Sequence, residues 1–241
     1  RLYKGAARFH APSSAIAEAI RSEVPRLAPR VRSIPYPLPW KPLAHDKATA
    51  PRDPTILYVG RIAPEKGFDQ IVDAFIHLHR EHKTGTARLK AGGWLGENNR
   101  EFFAAQVGRI EAAGLKDKFK YIGAPDWKGK LDFLSSIDVF SLPTAYREPK
   151  GLPVLEALAG GVPVVQPGHG IFPEILEKTG GGVLFAPGDT HSLASSLGDL
   201  LSNPEKAAQL GKKGRTGVNE RCTAKQMASE TLDIYQKFLR P

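Results

Sequence analysis

The sequence predicts an α/β protein built on a doubly wound parallel sheet, and three observations predict it. Short runs rich in Val, Ile, Leu and Phe recur along the chain. Segments with helical spacing separate them, and the two kinds alternate, as in a sheet buried by helices on both faces. The runs Thr55 to Val59, Arg88 to Ala91, Phe119 to Ile122, Val139 to Leu142, Val162 to Gln166 and Gly182 to Phe185 read as strands. Phe68, Ile71, Val72, Phe75 and Leu78 mark the first intervening helix; Phe102, Phe103, Val107 and Ile110 mark a second, and Leu152, Leu155 and Leu158 a third. Upstream, residues 13 to 24 read as a helix capped by Ser13 or Ser14, and Val31 to Ile34 as a short strand entering Pro35 to Pro39. Lys41 to Asp53, rich in Pro, Ala and charge, reads as a linker or exposed loop. Beyond Pro204 the pattern is mostly helical, with Met227, Leu232, Tyr235, Phe238 and Leu239 near one face of a final helix.

Composition narrows the function classes. The 241 residues are 41% hydrophobic and 24% charged, which fits a globular chain with a sizeable core and excludes a disordered one. The one cysteine, Cys222, cannot form an internal disulfide or a cysteine-based zinc site, and it suits a reducing compartment such as the cytoplasm. No apolar run approaches the roughly 20 residues that span a bilayer. With 34 Lys plus Arg against 25 Asp plus Glu, the net charge is +9. That charge invites a nucleic-acid reading, but the basic residues are dispersed, their densest run being Gly211 to Arg215, and no aromatic residues interleave them. Smaller phosphate ligands, or peripheral contact with an anionic membrane, stay open. The first residue is Arg, and the chain opens inside what reads as an ongoing fold, so a fragment is expected.

Two stretches carry chemistry. Gly60-Arg61-Ile62-Ala63-Pro64-Glu65-Lys66-Gly67 follows the first sheet strand and sets two cations at the edge where such sheets bind ligands. A guanidinium and an ammonium there can clamp a diphosphate, or they can stand as two solvated charges. The second stretch, Glu148 to Glu156, follows the Val139 to Leu142 strand and opens a helix. Glu148 falls in the loop, and Gly151 and Leu152 offer helix-terminal N–H groups to an anion. Glu156 follows about one and a half turns on, amid apolar neighbours, where it can accept hydrogen bonds from ribose hydroxyls or serve as a helix-surface acid.

Together these stretches resemble the donor domain of glycosyltransferase family 4, a retaining family with the two-domain GT-B fold, whose halves are Rossmann-like. Gly60-Arg61 to Lys66-Gly67 matches the family's Gly-Arg…Glu-Lys-Gly loop, and Glu148 to Glu156 its Glu-x7-Glu motif. The resemblance implies that Gly60 belongs to the donor-binding loop, that Arg61 and Lys66 bind the donor diphosphate, that Gly151 and Leu152 present N–H groups to it, that Glu156 holds the ribose, and that Glu148, the catalytic residue, lies beside the transferred sugar. Gly92 and Gly93 match a turn near the donor. Lys150 stands where the family usually has an aromatic residue, on the sugar side of the donor site. The implied division is residues 1–45 as the end of an N-terminal acceptor domain and its connection, 46–220 as the nucleotide-sugar domain, and 221–241 as a helix packing back toward the first domain. The acceptor half is expected to be missing, so the chain alone is expected to bind donor weakly and transfer little.

A departing nucleoside diphosphate gains negative charge, which preorganised cations and helix-terminal N–H groups stabilise. The sequence has no Asp-x-Asp pair for a divalent ion, so neither metal nor cofactor is expected at this site. Gly168-His169-Gly170 begins like a dinucleotide fingerprint and fails at Pro173. Glu174 is either a donor-sugar contact or a first-turn acid favoured by the helix dipole. His77, His79 and His82 read as a solvated helix face. Three rivals share some of these features: a non-catalytic nucleotide-sugar module, a basic nucleic-acid binder, and a phosphorylase or epimerase of the same fold.

Overall fold

A computed structural model of the chain describes residues 6–38, 53–81, 85–126, 129, 132–134 and 136–239. Most of the expected linker (41 to 53) and His82 lie outside these residues, as do the side chains of Phe238 and Leu239.

The main sheet has six parallel strands in the order β5-β4-β3-β6-β7-β8. They are β3 (Thr55–Val59), β4 (Arg88–Gly92), β5 (Phe119–Tyr121), β6 (Val139–Ser141), β7 (Val164–Pro167) and β8 (Gly182–Phe185). Each matches a run expected from the sequence, end to end for β3 and β8 and with shifts of one or two residues for the others. The central strands are legible because both of their faces are covered: every residue of β3, β6 and β7 is buried. From β3 the chain winds outward through β4 to β5, then returns to place β6 on the other side of β3. The strand order therefore reverses between β3 and β6, the position where doubly wound sheets open a crevice at their carboxyl edge. Both chemical stretches lie there, in the loops that follow β3 and β6.

Helix α2 (Phe68–Arg80) buries Phe68, Ile71, Val72, Phe75 and Leu78 against the sheet, the stripe its spacing predicts. Helix α3 (Arg100–Ala112) packs beside it. Helix α4 (Leu152–Ala159) is buried from Val154 to Ala159, so Leu-Pro-Val-Leu-Glu-Ala-Leu-Ala is core on nearly all sides. Helices α5 (Phe172–Thr179), α6 (Thr190–Ser202) and α7 (Pro204–Arg221) complete the layers. In α7, Gly211, Gly214 and Gly217 are buried, and a Cβ on Gly211 would stand 2.1 Å from the Gly161 carbonyl oxygen. Lys212 and Lys213 of the same run are exposed. The densest basic run of the sequence is thus the outer face of a helix whose inner face is glycine.

Before the main sheet, β1 (Phe9–Ala11), α1 (Ser14–Glu23), a 3-10 helix over Pro25–Arg30 and β2 (Val31–Ser33) form a small parallel unit with its own apolar cluster of Ala11, Ala17, Leu27 and Val31. Ser13 caps α1, accepting from the Ile16 amide at 3.3 Å. The unit is tied to the rest through the Ser14 amide, which donates to Glu174 at 3.0 Å, and through Leu38, whose amide donates to the Cys222 carbonyl at 3.0 Å. The last helix, α8 (Ala224–Leu239), leaves Leu232 and Tyr235 exposed.

Candidate functional site

The loops after β3 and β6 abut. Gly67, the N-cap of α2, has φ +72°, and a Cβ there would sit 1.8 Å from the Pro143 carbonyl oxygen; the Ala145 amide donates to the Glu65 carbonyl at 3.1 Å. Only glycine satisfies both demands at position 67. A similar interlock joins the loops after β3 and β4: Gly60 donates to the Gly92 carbonyl at 3.0 Å, and a Cβ on Gly93 would stand 1.8 Å from the Gly60 carbonyl oxygen. Gly60, Gly92 and Gly93 thus let the ends of β3 and β4 close together beside the crevice.

Lys66 and Glu148, far apart in sequence, meet in this cluster. Lys66 Nζ donates to Glu148 Oε2 at 2.9 Å and also to the Tyr146 hydroxyl, which in turn donates to Glu148 Oε2. The second carboxylate oxygen accepts from the Lys150 amide at 3.3 Å and, more weakly, from the Gly151 amide at 3.5 Å. Glu148 is 8% exposed. Burial alone would push its carboxyl up, yet the Tyr146 hydroxyl, the Lys66 ammonium and the Lys150 amide outweigh it and hold the group below the usual carboxylate range. Burial likewise pulls the Lys66 ammonium down, but hydrogen bonds to Tyr146 and Glu148 leave it above its ordinary value. The Tyr146 hydroxyl is raised by burial and by its bond to Glu148. The result is a partly buried ionised pair bridged by a neutral phenol.

The remaining expected residues are distributed around this pair. Arg61 does not join Lys66: its guanidinium pairs with Glu65 on the surface, both side chains nearly half exposed. Gly151 caps α4 with φ +66°, and a Cβ there would meet Ile175 Cδ1 at 2.5 Å. The left-handed backbone demands the glycine, and its N–H, which the sequence offered to an anion, faces Glu148 and is not free. Leu152 begins α4 behind it. Glu156 is 8% exposed on α4, so it is not a solvated surface acid. Lys150 is exposed, with Nζ 5.0 Å from the centroid of the Tyr36 ring in the connecting segment. Glu174 sits in the first turn of α5, where it accepts from Ser14 and, at 3.2 Å, from Lys178.

Two residues escaped the sequence reading. Tyr146 bridges the ion pair, and its position two residues before Glu148 was the available signal. His169, from the failed fingerprint, places Nε2 3.0 Å from the Thr144 carbonyl oxygen, while the Ile171 amide donates to the Glu148 carbonyl at 2.9 Å. The loop after β7 therefore fixes the backbone that carries Glu148. The histidines on α2 also depart from the expected solvated face: His79 packs on Phe75 with 4.8 Å between ring centroids, and burial lowers its imidazole.

A six-stranded doubly wound sheet with charged loops at its switch point defines a nucleotide-binding type of α/β fold. Residues 42–217 match the model of the family described as Glycosyl transferases group 1, and the chain belongs to that family. Glycogen synthase of Mycobacterium tuberculosis is 28% identical over 200 residues, covering 81% of this chain and 45% of that protein. Spore coat protein SA of Bacillus subtilis is 26% identical over 183 residues, covering 76% and 48%. The chain spans about half the length of the curated relatives it matches. The crystal structure of Anabaena HepE in complex with UDP aligns with a TM-score of 0.84 and 18% identity, over 96% of this chain and 64% of that one. The fold is that of the GT-B glycosyltransferases. Among the described residues, no helix is long and apolar enough to cross a membrane.

Proposed function

We propose that this chain carries the donor side of a retaining glycosyltransferase that takes a sugar from a nucleoside diphosphate. The observation that carries the reading is the meeting of Lys66 and Glu148 at the entrance to α4, on the crevice where the strand order reverses. Lys66 faces the leaving diphosphate and neutralises the charge it gains as the sugar–phosphate bond breaks. Arg61 leaves a surface pair with Glu65 worth about 0–1 kcal/mol, so its turn toward the diphosphate costs little. The Leu152 N–H supplies the helix-terminal dipole, joined by the Gly151 N–H once Glu148 releases it, Glu156 holds the ribose, and the closely packed Gly60, Gly92 and Gly93 turns set the loop edge beside the nucleotide. Glu148 lies beside the transferred sugar, where its carboxylate favours positive charge developing at the anomeric carbon. Lys150 contributes on the sugar side. These side-chain cations take the place of a metal, and no cofactor takes part.

We assign residues 1–45 to the end of an acceptor domain and its connection, 46–220 to the donor domain, and 221–241 to a helix that returns to the acceptor domain. The exposed Leu232 and Tyr235 support that last assignment. The acceptor is unspecified; the working place is the cytoplasm, with peripheral contact at anionic membranes compatible with the charge of +9. A thermal-shift panel of UDP, GDP, ADP and their sugars against the chain and its Arg61→Ala and Glu156→Ala variants tests the reading. One base is expected to stabilise the chain by about 2.7 kcal/mol at a 100-fold excess over Kd, with both variants shifted less. No response to any nucleotide would refute it.

A further inference from the structure

The far end of α2 carries a cluster that the switch-point loops do not use. His77 and Glu81 are four residues apart and share one helix face, with His77 Nε2 2.9 Å from Glu81 Oε1. His191, in the first turn of α6, sets its ring edge-on to His77 with 3.9 Å between centroids. One ligand atom from each of the three residues lies within 4.8 Å of the other two. His77 Nε2 is shielded from solvent and makes no hydrogen bond despite its closeness to the carboxylate. An imidazole nitrogen held beside a carboxylate oxygen at contact distance, without the angle of a hydrogen bond, is the arrangement a shared cation would complete.

The distances suit one class of ion. Zinc binds imidazole nitrogen and carboxylate oxygen at about 2.0–2.2 Å, which sets neighbouring ligand atoms roughly 3–3.5 Å apart. The His77–Glu81 separation is already close to that span, and the exposed His191 closes the rest by rotating its side chain. Two imidazoles and one carboxylate favour zinc and its late-transition neighbours over magnesium or calcium, which take oxygen sets. His77 and His191 line a surface hollow also bordered by charged groups, of which Arg109 is paired with Asp73, which leaves Arg80 as the cation to be tolerated.

We propose that His77, Glu81 and His191 form a zinc site with three protein ligands and an open fourth position, clipping the end of α2 to the start of α6. Nine residues at about 1.5 Å each put His77 roughly 14 Å along α2 from its start beside Lys66, so the ion holds two helices together and touches no donor. The test uses the 241-residue chain without an affinity tag, freed of metal by a chelator and titrated with zinc sulfate by calorimetry and thermal melting. One ion per chain is expected, with Tm raised by roughly 5–10 °C at a 100-fold excess over Kd. His191→Ala and Glu81→Gln should each weaken zinc at least 10-fold while melting like the parent chain in its absence. Cys222→Ser should bind as the parent does, and magnesium should give no shift. Failure of the parent chain to bind zinc, unchanged binding in both ligand variants, or equal binding of magnesium would overturn the proposal.

Discussion

Replacing Lys66 by methionine keeps much of the apolar stem and deletes the ammonium, which isolates the contribution of the pair with Glu148. Loss of one partner from a fully buried pair costs about 3–5 kcal/mol. Here the two side chains are 20% and 10% exposed, and the Tyr146 hydroxyl and the Lys150 amide still serve the carboxylate. The expected cost is therefore that of one charge-assisted hydrogen bond, about 1.5–3 kcal/mol, or a Tm lower by roughly 3–12 °C for a chain of this size. The pH dependence follows from the two shifts. The Glu148 carboxyl is held below its ordinary value, so its stabilisation is complete above the ordinary carboxylate range and is lost as pH falls through the folded-state value. The Lys66 ammonium is held above its ordinary value, so its stabilisation is complete below the ordinary lysine range and is lost as pH rises through the folded-state value. Urea unfolding should show the largest penalty for Lys66→Met near pH 7 and a smaller one at each extreme. In a double-mutant cycle with Glu148→Gln, the coupling should be at least about 1 kcal/mol. Equal urea midpoints at pH 7, or additive single effects, would show that the Lys66–Glu148 pair contributes nothing to stability.

Gly93→Ala should be severe, because its Cβ would stand 1.8 Å from the Gly60 carbonyl oxygen at φ +137°; a loss of about 3 kcal/mol or more is expected from the urea midpoint. Ser13→Ala removes the cap that receives the Ile16 amide, and about 1 kcal/mol should be lost, read as faster amide exchange in the first turn of α1. Tyr146→Phe keeps the ring over which Lys66 lies at 4.6 Å but deletes the hydroxyl, so the Glu148 carboxyl should titrate at a higher pH, as followed by carboxyl NMR.

The central strands β3, β6 and β7 were legible because they are buried on both faces and stand out as continuous apolar runs between turn residues, and the edge strand β8, though half exposed, still matches its run end to end. The two chemical stretches were legible as motifs, and topology adds what spacing cannot, that the loops after β3 and β6 abut across the switch point. Helix α6 went unread although Asp189 caps it and Leu193, Leu197 and Leu200 line its buried side. Tyr146 carries no periodicity, and its role depends on a lysine 80 positions away. The same limit hides His77 and His191, whose meeting depends on how α2 packs against α6. Gly151 shows a third kind of limit: the residue type was informative, but its cause is the left-handed backbone at the head of α4, which only the folded structure supplies.

Calorimetric titration of UDP, or of whichever nucleoside diphosphate the panel selects, into the chain and its Lys66→Met variant tests the donor assignment most directly. The Kd should be weaker by about 10- to 150-fold in the variant, the equivalent of one charge-assisted hydrogen bond. Equal affinity in the two proteins would contradict it.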